Sequence, residues 1–158
     1  MIRPILQLGH DALYAASEPV AREEAPALME AVRDLHDTLL DFRARHGAGR
    51  AIAAPQIGVP KRLVYMHIEK PVIFFNPSLS FPDDETMLVL DDCMSFPHLL
   101  VRVPRYKRCR VTYRDEHWRE HTWALEGDLS ELLQHECDHL DGVLATMRAV
   151  DGKAFVAR

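Results

Sequence analysis

The chain has 158 residues, of which 47% are apolar and 27% charged, and a formal net charge of −5. This is enough chain for one well-buried core, the composition is that of a soluble globular protein, and the acidic balance offers no basic face to nucleic acid. No stretch approaches the roughly 20 apolar residues that cross a bilayer, and MIRPILQLGHDALY, broken by Pro4, Gly9 and charges, does not read as a signal peptide.

In chain order, the first element is a helix from about Pro26 to His46. Leu28, Val32, Leu35, Leu39 and Phe42 recur there at spacings of four and three, and His46-Gly47-Ala48-Gly49 ends the pattern. The middle of the chain alternates as strands do: RLVYMHI (62–68), PVIFFNP (71–77), ETMLVL (85–90), LLVRVP (99–104) and RCRVTYR (108–114), with turn residues between them. RYKRCR at 105–110 is locally basic but alternates like a strand, so it is expected to be a solvated strand face. A second helix covers about Leu129 to Leu140, with Asp128 as N-cap and Glu131 completing a capping-box-like pair. No repeat, low-complexity tract or linker divides the chain, so residues 1–158 are expected to form a single α+β domain.

The second helix carries the chemistry. Within LLQHECDHLDG (132–142), His135 and His139 are four apart and so stack along one flank. At 100° per residue Leu129, Leu132, Leu133 and Leu140 share a face with Glu136 near its middle, while Ser130, Glu131, Gln134, Asp138 and Asp141 point the other way. Two histidines and a glutamate in this pattern also occur as plain packing residues. A glutamate in a buried stripe, however, is costly without a purpose. Beside a metal-ligating histidine it can take a proton from an attacking water.

A catalytic metal needs a third protein ligand. Downstream of His139 the last histidine of HExxHxxGxxH is replaced by Ala145, and the remaining acids, Asp141 and Asp151, are poorly placed, which argues against a metalloprotease. Upstream, Cys93 in DDCMSFP (91–97) follows a strand. Spacing alone leaves Cys93, Cys109 and a distant carboxylate open. Cys93, Cys109 and Cys137 are an odd number at unrelated spacings, which argues against a disulfide framework and for a reducing, cytoplasmic setting.

Three ordered segments, GRAIAAPQIG (49–58), DDCMSFP (91–97) and QHECDHLDG (134–142), resemble the GxGLAAxQ, EGCLS and QHExDH motifs of peptide deformylases. The resemblance implies mainly antiparallel strands around a central metal-binding HExxH helix, with an N-terminal amphipathic helix. It implies Cys93, His135 and His139 as ligands of one divalent metal ion, Fe2+ foremost, with zinc, nickel or cobalt also accepted. Glu136 would be the acid/base, and the Gln56 side chain and Met94 N–H would face the developing oxyanion. Gly49, Arg50, Ala51, Asp91, Leu100 and Leu132 fall where the family meets its substrate, the N-formylmethionyl end of a nascent peptide. Transient association with the ribosome is implied as well, although AVDGKAFVAR at the end of this chain suits a short strand or tail rather than a long helix.

The departures cluster around the substrate. Ala51 replaces a glycine that could serve positive φ or close peptide approach. Arg50 stands where aliphatic residues face the methionine pocket, Asp91-Asp92 replaces Glu-Gly, and Leu100 replaces an arginine that meets the peptide backbone. Three readings follow: a divergent active deformylase, a metal-dependent amide hydrolase of altered specificity, or a catalytically silent relative.

Overall fold

The structure is a computed structural model that describes residues 1–158. Helix α1 spans Ala25–His46, with Pro26 in its first turn, where the missing N–H costs nothing. It stops at Gly47, whose φ of 71° lets its N–H reach back to Arg43 O. A five-stranded antiparallel sheet follows the order β1 (Ala51–Ala53), β2 (Leu63–His67), β3 (Pro71–Ser80), β6 (Arg108–Arg114), β7 (Glu120–Glu126). A three-stranded sheet follows β4 (Thr86–Asp91), β5 (Leu99–Tyr106), β8 (Phe155–Ala157). Helix α2 spans Asp128–Leu140.

The five-stranded sheet is covered on both faces, which is why its β2 strand reads as a continuous apolar run. Leu63 and Tyr65 of β2 and Phe75 of β3 pack with Leu35, Leu39 and Phe42 of α1. Val64, Met66 and Phe74 turn the other way, onto Leu132, Leu133 and Leu140 of α2. A third cluster joins Val101 and Val103 of β5 to Leu13, Cys93, Phe96 and Leu144. The N-terminal segment crosses the end of α2 so closely that a Cβ at Gly142 would lie 2.5 Å from Tyr14 O. No helix is long and apolar enough to cross a membrane.

Several expectations need correction. The short strand β1 and the seven-residue β7 were not anticipated from the sequence, and β3 runs on through NPSL. There it bulges: Asn76 takes a φ of 51° and clasps Val20 with two 2.8 Å hydrogen bonds. Gly127, not Asp128, is the N-cap of α2, and no side chain caps that end. The supposed polar face of α2 is not solvated either. Ser130 and Gln134 are buried and hydrogen-bond the backbone of Tyr106 at the end of β5, because the helix is enclosed by both sheets.

Candidate active site

Three elements deliver the chemistry-bearing side chains to one place. The turn that ends β4 carries Cys93 and is closed by Phe96 N–H donating to Cys93 O at 3.1 Å. The two histidines come from successive turns of α2, as their spacing requires. Gln56 sits in a 3-10 turn directly after β1, where its Oε1 accepts from Ala53 N at 2.9 Å.

The nitrogens of His135 and His139 and the sulfur of Cys93 lie within 4.8 Å of one another, and all three residues are buried. Cys93 Sγ is 3.3 Å from His139 Nε2. Bonds of ~2.0–2.3 Å from one tetrahedral ion would set such atoms roughly 3.5 Å apart, so the donor set fits a single ion. Neither Cys109 nor a carboxylate joins it. His135 Nδ1 is held 3.0 Å from Asp91 Oδ2, which orients the ring and leaves Nε2 for the ion. Burial, and then His135, keep His139 well below the usual imidazole range, hence neutral with a lone pair to give.

Asp91 is one of the residues that the sequence assigned to substrate, and its carboxylate has another engagement. It accepts from Arg105 Nη2 at 2.9 Å as well as facing His135. Burial would raise this carboxyl, but His135 and Arg105 draw it down to about 2. Arg105 itself is 3% exposed and also donates to Asp138 at 2.6 Å. The basic stretch 105–110 is therefore not a solvated face at its first residue. Alternation with Val101 and Val103, both buried, was the signal that Arg105 points inward.

A cavity of about 260 Å3 leads to this centre and is lined by Gly49, Arg50, Ala51, Gln56, Asp91, Cys93, Met94, Leu132, His135 and Glu136, among others. Glu136 is 4% exposed, burial pushes its carboxyl up to about 7, and its Oε1 has no hydrogen-bond partner. The Gln56 amide nitrogen is 3.1 Å from Ser95 Oγ and 3.6 Å from Cys93 Sγ. Met94 packs its side chain among Leu39, Phe42 and Ile52. Its N–H makes none of the hydrogen bonds that close the turn. A larger cavity, about 730 Å3, opens on the other flank of α2 around Arg62, Asn76 and Arg148, away from Glu136.

Leu100 is not brought here. It lies half-buried in β5 paired with Val156 and does not line this cavity. Ala51 has ordinary strand geometry, and the positive φ of this segment, 132°, belongs to Gly49. Sequence reasoning also missed Glu131 and Arg158, which both line the cavity. Glu131 was counted on the solvent side of α2; Arg158 lay in a tail with no pattern to mark it.

The motif likeness holds over the whole chain. A family model described as polypeptide deformylase matches residues 2–154. The chain belongs to the peptide deformylase family. It is 36% identical to peptide deformylase 2 of Ralstonia nicotianae over 98% of this chain and 91% of that protein. To the peptide deformylase of Salinibacter ruber it is 34% identical over 92% of this chain and 80% of that one. The crystal structure of peptide deformylase from Thermotoga maritima superposes with a TM-score of 0.85 at 30% identity, covering 96% of this chain and 99% of that one. The α+β fold of antiparallel sheets around a helix bearing two of the three clustered donors is thus the deformylase fold. Deformylases are metal-dependent hydrolases whose family function is deformylation of nascent peptides, and Cys93, His135 and His139 form a group that could hold a metal ion.

Proposed function

We propose that this chain hydrolyses the N-formyl amide at the N-terminus of nascent peptides, with Cys93, His135 and His139 holding one divalent ion and Glu136 moving the protons. The observation that carries the reading is Glu136. A carboxyl with an unpaired Oε1 and 4% exposure has no packing role that would repay its burial, but next to His135 and lining the cavity it is placed to take and return a proton.

A divalent ion bound to the three donors supplies Lewis acidity toward the formyl oxygen and the attacking water. Glu136 takes a proton from that water as its oxygen bonds to the formyl carbon. The same carboxyl then returns the proton to the amide nitrogen as the C–N bond breaks, releasing formate and a free peptide amine. Gln56 Nε2 and the Met94 N–H supply fixed donors for the oxygen that gains charge. Asp91 and Arg105 hold His135 in place, while Gly49, Ala51 and Leu132 form the approach for the peptide. Ferrous iron is the ion we place there first, with zinc, nickel and cobalt as alternatives. A cytoplasmic setting and transient association with the ribosome belong to the same proposal.

The test is formate release from formyl-Met-Ala-Ser, using protein purified without air and loaded in turn with Fe2+, Ni2+ and Zn2+. Glu136→Ala should lose at least roughly 100-fold in turnover, in the range of general acid–base effects, while still binding one metal per chain. Equal turnover in parent and variant would overturn the assignment of Glu136.

A further inference from the structure

The cavity that reaches Glu136 carries an ion pair in a wall that is otherwise largely apolar. Arg50 leaves the start of β1 and meets Glu131 of α2 with Nη2 2.7 Å from Oε1. Both residues line the cavity, with the Glu131 side chain 13% exposed and the Arg50 side chain 39% exposed, so the pair runs from the cavity wall toward its mouth. Asp92 adds a second carboxylate to the field at Arg50 and is itself paired with Arg158 at 3.0 Å. Much of the remaining wall is apolar, from Phe42, Ala48, Ala51, Met94 and Leu132, so the ion pair is a polar strip in it.

A methionine side chain seated against Arg50 and Glu131 would strip water from both and return no hydrogen bond. A charged side chain would have to open the pair and leave one partner uncompensated. A neutral group with both donor and acceptor can bond to the carboxylate and the guanidinium together without separating them; a carboxamide is such a group. We infer that Arg50 and Glu131 are the specificity-determining residues of this site, and that they admit a neutral polar first side chain at least as well as methionine. This rests on the deformylation reading for the reaction itself, and the chemistry at the formyl group is unchanged by it.

The experiment compares formyl-Met-Ala-Ser with formyl-Gln-Ala-Ser, which are close in size. Formate release is measured for the metal-loaded parent and for Arg50→Leu/Glu131→Leu, which removes both charges so that neither stays buried alone. Binding of the same peptides to metal-loaded Glu136→Ala, with and without the leucine pair, is measured by calorimetry. The parent should use the Gln peptide at least as efficiently as the Met peptide. In the leucine variant the Gln-to-Met ratio of kcat/KM should fall by roughly tenfold or more, chiefly through KM, and the binding ratio should fall alike. Where thermal melting shows that the leucine pair does not fold, Arg50→Met/Glu131→Met serves, its unbranched side chains approximating the originals in length. A parent that prefers methionine by more than tenfold, or a ratio that the folded double variant leaves in place, overturns the inference. If no formate appears but the binding ratio shifts as stated, the pair's role stands and the deformylation reading falls. Absence of both release and binding removes both.

Discussion

At the scale of single residues, Glu136 is costly to bury. Its carboxyl is raised from 4.5 to about 7 by burial, so between those values the folded chain holds a proton that the unfolded chain has released. Stability must therefore fall as pH rises through that window, by about 3 kcal/mol at ~1.4 kcal/mol per tenfold. We expect metal-free protein to lose stability in urea melts between about pH 5 and pH 8, and Glu136→Gln to lose less by about that amount. Parallel pH profiles for parent and variant would show that Glu136 sits in a wetter place than the structure gives it. The two histidines were legible because a separation of four on a helix fixes their common flank. Arg50 and Glu131 were not, since 81 positions separate them and neither element's pattern announces the other.

At the scale of elements, α2 is held less by a single apolar stripe than by contacts on every side. Its apolar side chains pack on the five-stranded sheet. Its polar residues hold β5: Gln134 pairs with both backbone groups of Tyr106, and Asp138 accepts from Arg105 at 2.6 Å. Helix-face arithmetic assumes one buried face and one wet one, which is why Glu131, Gln134 and Asp138 were placed in solvent from the sequence. Arg105 ties β5 both to α2 and, through Asp91, to the metal-site ring of His135. Replacing it by Met strands the buried Asp91 and the partly buried Asp138, partly relieved by His135 at Asp91 and by Arg148 at Asp138. Arg105→Met should cost about 3 kcal/mol of stability and lower metal affinity by roughly 10- to 100-fold. Denaturant melts and a titration against a competing chelator would read the two effects. Unchanged metal affinity with lowered stability would confine Arg105 to packing.

At the scale of the whole molecule, the candidate metal centre is where the two sheets are joined. Cys93 follows β4 of the three-stranded sheet, while His135 and His139 belong to the helix seated on the five-stranded one. An ion bound across them should therefore stabilise the entire fold. At 100 times its dissociation constant, Zn2+ should add about 2.7 kcal/mol, seen as a raised Tm, and Cys93→Ala should abolish most of that gain. A Tm indifferent to metal in the parent would mean that the three donors do not act on one ion. The long helix, most strands, the HExxH pair and the family itself were determined by the sequence alone. Periodicity, turn residues and short motifs are local, and each reports on its own segment. Only the tertiary structure decided that Arg105 and Asp91 stand behind His135, that Leu100 lies outside the cavity, and that Arg50 meets Glu131 within its lining. Those are contacts between distant segments, set by how two sheets close around one helix, and no local pattern encodes them.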